Sequence, residues 1–313
     1  MIQEALVLRI CKVFLIVNVF FLGAIPVPAE TAYRLGVLRG PTAVAFAPMI
    51  DQPVRLDDER AVEVRIYPDP PALIAAYLGG DVDAATLPSN AAAQLSGRGV
   101  PIEVGATFIW GVLYVVGPRD LSLGELRGPV HSLGRGATPD IVLRYVLEQE
   151  GLADRIRVEY GFGQVELAQL LIAGRVVAGV LPEPFVTRVI RLNPEVGIIA
   201  DLQERFAAHA DAGMPQTVLA VRPGGDVTSE LVGLLRASVA RVLADPDRTA
   251  RLVARLELGL DEVTVRESLP RLNLRVEGAS ESRDALRRYF AILYEFEPAS
   301  VGGRLPPPQF YGE

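Results

Sequence analysis

Thiols and amines are nearly missing from this chain. Of 313 residues one is cysteine and one is lysine, Cys11 and Lys12, side by side near the N-terminus. Residues 12–313 therefore contain no disulfide, no cysteine-ligated zinc site and no cysteine nucleophile. Without lysine after residue 12 there is no glycine-rich phosphate loop of the usual kind, and no Gly-x-Ser-x-Gly elbow occurs. The two histidines, His131 and His209, are too far apart for a histidine metal motif. Asp81 and Asp83 fall on one side of an extended segment but at a helix-to-strand turn, where solvated capping is the simpler role. Basic charge is also short. The formal net charge of −7 excludes nucleic acid or an anionic membrane surface as the main target.

What remains is an apolar, arginine-using chain long enough for two compact lobes, and its first residues read as an export signal. Arg9 and Lys12 precede an apolar stretch from Val13 to Ile25, followed by Pro26-Val27-Pro28-Ala29. The pattern predicts a signal peptide over residues 1–29, cleaved after Ala29, since the stretch is shorter than the roughly 20 residues a spanning helix needs. An uncleaved anchor is the alternative. Cys11 lies at the start of the apolar run rather than its end, so it does not suit a lipoprotein acceptor. The mature chain is thus expected in the periplasm or outside the cell.

The most informative feature is a repeat. Residues 73–88, from Leu73-Ile74-Ala75-Ala76 to Thr86-Leu87-Pro88, reappear as residues 168–182, from Ala168-Gln169-Leu170-Leu171 to Val180-Leu181-Pro182. Each copy predicts an apolar-faced helix, a glycine stop, a strand and a proline-marked loop. Two such units imply two similar α/β lobes with a cleft between them. Strands alternate with helices, which predicts parallel sheets. The expected lobes are residues 30–116 with 218–313, and residues 117–217. The stretch from Ile102 to Val116 reads as one long β-rich run joining them.

Four loops share a design in which a strand ends, small or hydroxyl residues follow, and a helix begins. They hold Gly40-Pro41-Thr42, Ser89-Asn90, Gly136-Ala137-Thr138 and Glu183. In open α/β sheets ligands sit beyond the carboxyl ends of the strands, facing such helix starts. Thr138 before Pro139 reads as the best-formed N-cap. Each of these residues is also an ordinary cap, but Arg39-Gly40-Pro41-Thr42 and Arg135-Gly136-Ala137-Thr138 pair up, one loop per lobe. Glu183 is read either as charge at a helix start, as an acceptor for a ligand, or as the partner of an arginine. Trp110, the sole tryptophan, is equally compatible with core and cleft. Gln216 and Thr217 precede the strand returning to the first lobe and fall in the second crossover. No metal or catalytic residue is expected.

In order and spacing these motifs resemble the solute-binding proteins of ABC importers, in the nitrate, taurine and alkanesulfonate group that also includes carriers of thiamine-pyrimidine precursors. The residues that do so are Gly79-Gly80-Asp81-Val82-Asp83-Ala84-Ala85 and Leu181-Pro182-Glu183-Pro184-Phe185. Leu126-Arg127-Gly128, the loop from Gly134 to Asp140, and Pro298-Ala299-Ser300-Val301-Gly302-Gly303 support them. The resemblance implies a two-lobe type II periplasmic-binding-protein-like α/β fold that closes on a small molecule without a cofactor. It further implies a monomer that docks on a membrane permease with a cytoplasmic ATPase. Enzymes share the fold. Pyrimidine synthases of the yeast type carry a cysteine cluster that is missing here, and chorismate-processing enzymes are normally cytoplasmic. A ligand module feeding a membrane sensor is a third reading.

Overall fold

The computed structural model describes residues 32–312. The N-terminal segment read as a signal, with Cys11, lies outside the described residues. Among the described residues no helix is long and apolar enough to cross a membrane.

Strand β1 (Tyr33–Leu38) runs into the short helices α1 (Pro41–Val44) and α2 (Ala47–Asp51), and β2 (Val62–Tyr67) follows. Helix α3 (Pro70–Gly79) starts where it does because the Asp69 carboxylate accepts the Ala72 N–H at 2.9 Å and Pro70 occupies a position whose N–H would be unpaired. It stops at Gly80, whose φ of 78° costs a glycine nothing. Strand β3 (Ala84–Pro88), helix α4 (Ser89–Gly97) and strand β4 (Glu103–Ile109) complete the first pass. The second pass is β5 (Leu113–Pro118), β6 (Val130–His131), α5 (Thr138–Gln149), β7 (Val158–Glu159), α6 (Gln164–Ile172), β8 (Ala178–Pro182), α7 (Phe185–Leu192), β9 (Val196–Asp201) and α8 (Leu202–Ala210). The chain then returns through β10 (Thr217–Val221), α9 (Thr228–Ala244), α10 (Pro246–Arg255), α11 (Glu262–Ser268), β11 (Leu274–Gly278) and α12 (Ala279–Phe296).

The strands form two sheets, ordered β11-β4-β10-β3-β1-β2 and β7-β6-β8-β5-β9. Read from the shared end, β4-β10-β3-β1-β2 matches β9-β5-β8-β6-β7 strand for strand. The repeat seen in the sequence is therefore a structural repeat: β3 and β8, like the starts of α3 and α6, lie 94 residues apart. In each sheet the second matched strand is the one the chain enters just after crossing from the other lobe. β10 inserts antiparallel between β3 and β4, and β5 inserts antiparallel between β8 and β9.

That exchange corrects two expectations. The sheets are mixed rather than parallel, because each receives a reversed strand from the crossover. The run from Ile102 to Val116 is also not one element. It breaks at Trp110-Gly111-Val112, and residues 113–116 pair in the second sheet although the sequence placed them with the first lobe. At the return crossing Thr217 already pairs with Pro88 and Ile109, so it joins the first sheet. Within the second lobe a 3-10 turn at Leu123–Glu125 links β5 to β6.

The lobes touch through two unlike surfaces. One is apolar: Tyr145 on α5, Phe206 on α8 and Tyr289 on α12 pack in succession, the first pair tilted and the second edge-on, with ring centroids 5.2 and 5.7 Å apart. These rings belong to a core that runs from Leu87 in the first sheet to Val130 in the second. The other surface is polar, lies along α7 and α11, and encloses the cavity described next.

Candidate ligand-binding cleft

Chain ends of β1 and β2, the segment before α11, and the start of α7 surround a cavity of about 360 Å³. The first lobe contributes Arg39, Gly40, Pro41, Pro68, Leu260 and Asp261, and the second contributes Gln164, Pro184, Phe185 and Arg188. Its walls mix the apolar Pro41, Pro68, Pro184, Phe185 and Leu260 with the polar Gln164, Asp261 and Thr264, and carry one arginine from each side. Arg39 lies along Gly259, where an added Cβ would come within 2.9 Å of its Cγ. Neither Arg39 nor Arg188 has an ion-pair partner among the described residues. Asp261 is occupied elsewhere: it caps α11 by accepting the Thr264 N–H at 3.0 Å and stands 3.9 Å from Arg191. Hydrogen bonds from Thr264 hold its carboxyl below the usual range despite partial burial. The cavity therefore presents two unneutralised guanidinium groups against one carboxylate that is already hydrogen-bonded.

Glu183 borders this cavity but faces inward. It is 1% exposed, and its carboxylate accepts the Thr187 N–H at 3.1 Å and the Thr187 hydroxyl at 3.0 Å. This is the favourable placement of a negative charge at the start of α7. Arg271 completes the set, donating from Nε to Glu183 and from Nη2 to the Thr187 hydroxyl at 2.6 Å. Of the readings left open by the sequence, helix-start charge and arginine partner both apply.

The other sequence-derived candidates fall in two further places. Ser89, Gln216, Thr217 and Trp110 lie at the crossovers. The Ser89 hydroxyl donates to the Pro215 carbonyl at 2.6 Å, and the Gln216 side chain accepts the Val112 N–H at 3.0 Å. Trp110 donates its indole N–H to the Arg275 carbonyl at 2.8 Å, with the Arg275 guanidinium 4.3 Å from the ring centroid. A Cβ added at Gly213 would sit 2.7 Å from the same ring. Trp110 is thus a buried crossover residue. Thr42 is buried beside Gly40, and Asn90 is half-buried on α4. Pro88, not Ser89, occupies the N-cap position of that helix.

The third place is the loop of Gly136, Ala137 and Thr138. Thr138 is the first helical residue, Ala137 the N-cap, and no side chain caps α5, contrary to the sequence expectation. The reason is competition. Asp140 reaches back to accept the Gly136 N–H at 2.7 Å, and the Thr138 hydroxyl bonds the buried Tyr289 hydroxyl instead. Asp140 also accepts from Arg144 and from the Tyr160 hydroxyl at 2.6 Å, so the loop spends its polar groups on itself. Gly40 likewise donates to the Leu258 carbonyl at 3.2 Å. The paired loops exist, but their glycine N–H groups are already engaged. Asp81 and Asp83 do not act together either, because Asp83 pairs with Arg34 at 2.8 Å.

Sequence reasoning passed over Arg188 and Arg271. The first had a signal: Pro184, Thr187, Arg188 and Arg191 recur at helical spacing, opposite the buried Val186 and Val189. The second had none, since its partner lies 88 residues away.

A solved ABC-transporter structure from Parabacteroides distasonis is 30% identical to this chain, covers 90% of it and 98% of its own length, and superposes with a TM-score of 0.79. The chain belongs to the ABC-transporter family of that structure. Two members that bind sulfonates share the fold at lower identity. The periplasmic aliphatic sulphonate binding protein SsuA from Escherichia coli is 14% identical, covers 88% of this chain and 91% of its own, and has a TM-score of 0.69. The alkanesulfonate-binding protein SsuA from Xanthomonas axonopodis pv. citri, bound to MOPS, is also 14% identical, with 88% and 96% covered and a TM-score of 0.62. No protein-family model and no curated relative matches the chain.

Proposed function

We propose that this solute-binding protein captures a small organic anion with an apolar body, of the alkanesulfonate kind, and delivers it outside the cytoplasm to an ABC permease driven by a cytoplasmic ATPase. The observation that supports this is the pair of unneutralised guanidinium groups, Arg39 and Arg188, brought from opposite lobes to one cavity that also offers Pro41, Pro68, Pro184, Phe185 and Leu260 to an apolar body. The volume of about 360 Å³ falls in the range of organic-ligand sites and exceeds what a bare nitrate needs. A pyrimidine-type ligand is less well served, since Phe185 is the one aromatic side chain lining the cavity and Trp110 is covered at the crossover. Each charged hydrogen bond to the anion contributes about 1.5–3 kcal/mol. The protein works as a monomer without catalysis, after removal of residues 1–29.

Thermal shift and calorimetry with alkanesulfonates, nitrate and aminopyrimidines test the reading. A true ligand at a hundred times its dissociation constant stabilises the protein by about 2.7 kcal/mol. Consumption of one of these compounds without a shift would point to an enzyme on the same fold instead.

A further inference from the structure

Helix α7 presents one face to the first lobe. Val186 and Val189 are buried in the second-lobe core, while Thr187, Arg188 and Arg191 lie on the other side at spacings of one helical turn. Two sets of contacts cross between lobes here, on either side of Arg188. Arg191 approaches Asp261 at 3.9 Å and Glu267 at 3.7 Å, but all three side chains are 40% or more exposed, so these pairs contribute little. The Glu183 carboxylate is wholly buried, and among the described residues Arg271 is its cationic partner. Arg271 is also held through its backbone, because the Tyr114 hydroxyl of β5 donates to its carbonyl at 3.0 Å. Asn273, two residues on, donates to the Gly111 carbonyl at 2.9 Å. One short first-lobe segment thus grips the second lobe at the crossover, at β5 and at the start of α7.

We propose that Arg271 is a positioning residue that holds the lobes closed and aims Arg188 into the cavity, although it does not line the cavity itself. The two interlobe surfaces explain why the control sits there. Water does not replace the contacts among the packed rings of Tyr145, Phe206 and Tyr289, so that surface stays together. Opening returns the Glu183 and Arg271 charges to water and so recovers the hydration that burying them cost, which makes the α7 surface the one that parts. Opening moves Arg188 away from Arg39. The role of Arg188 rests on the anion reading, whereas the control of closure by Arg271 does not.

The test is an interlobe distance. The full chain with Cys11→Ser has no thiol left, so Ala75→Cys on α3 and Gln169→Cys on α6, both exposed, accept a pair of nitroxide labels cleanly. Arg271→Ala adds a longer-distance population by pulsed electron resonance. Arg271→Lys, which keeps the charge on Glu183 but not the second bond, gives a smaller one, and Thr187→Val shifts in the same direction. Arg236→Ala, which breaks a pair with Glu281 inside the first lobe, leaves the distance unchanged. If one molecule in ten remains closed, apparent affinity for the best-bound sulfonate falls about tenfold. A folded Arg271→Ala protein with the parental distances overturns the proposal, as does equal opening in Arg236→Ala. Should Arg271→Ala fail to fold, parental distances in both Arg271→Lys and Thr187→Val overturn it equally. Failure of every sulfonate to bind the parent would sink the anion reading and leave these distances informative.

Discussion

Gly111 is where the two sheets part, and replacing it with alanine isolates how tightly the crossover is built. Its φ of 93° lies in the left-handed region. The Trp110-Gly111-Val112 segment belongs to no strand; the Trp110 N–H donates to the Asn273 carbonyl, the Val112 carbonyl accepts the Glu183 N–H, and side-chain amides satisfy the rest. Asn273 donates to the Gly111 carbonyl, Gln216 accepts the Val112 N–H, and Gln203 accepts the Leu113 N–H at 2.8 Å. An alanine Cβ at 111 would stand 2.6 Å from the Gln203 Cβ, 2.7 Å from the Met214 Cε and 2.8 Å from the Gln203 Oε1. Left-handed strain costs about 1–2 kcal/mol, and overpacking typically about 1–3 kcal/mol. Displacing Gln203 also weakens its buried bond to Leu113, so the total is about 2–5 kcal/mol. Gly80→Ala is the matched comparison, with a φ of 78° and nothing within 4 Å of the added carbon. It bears the strain without the overlap. Urea unfolding of both variants measures the difference. If Gly111→Ala is no less stable than Gly80→Ala, the crossover is looser than these contacts require and the reasoning fails.

Arg39→Gln and Arg188→Gln should each weaken binding of an alkanesulfonate about 10–100-fold by calorimetry, with the melting temperature of the unliganded protein unchanged. Equal affinity in both variants would remove them from the site. Leu73→Ala, at a fully buried position in the first-lobe core, should cost about 2–5 kcal/mol in urea unfolding. The Ser89→Ala variant leaves the Pro215 carbonyl without its buried donor and should cost about 1–3 kcal/mol. Asp83 supplies a pH test. Burial pushes its carboxyl up, but the hydrogen bonds and charge of Arg34 outweigh this and hold it below the ordinary value. The stabilisation is therefore present above the unfolded carboxylate pKa near 3.9 and is lost as pH falls through the lower folded value. Asp83→Asn should thus be less stable than the parent at pH 7, with the gap closing in acid.

The α3-to-β3 and α6-to-β8 units were legible because their signals are local: helical spacing, a glycine stop, a proline after the strand. Those units set the two lobes, and with them the general position of the cleft. Strand direction was not legible. β5 and β10 read like any other apolar strand, and their reversal follows from pairing with strands reached across the whole lobe. The same distinction runs through the site. Gly40, Pro41 and Glu183 were found because strand-to-helix turns announce themselves, yet what each does depended on residues far along the chain. Leu258 occupies the Gly40 N–H, and Arg271 neutralises Glu183. Local pattern identified the loops facing the cleft; long-range neutralisation decided which groups in them stay free. Glutamate at the head of α7 reads as a charge unfavourable to anions. Once Arg271 cancels it, that same helix start becomes the support on which Arg188 approaches the cavity, and the Glu183 charge no longer opposes an anion there.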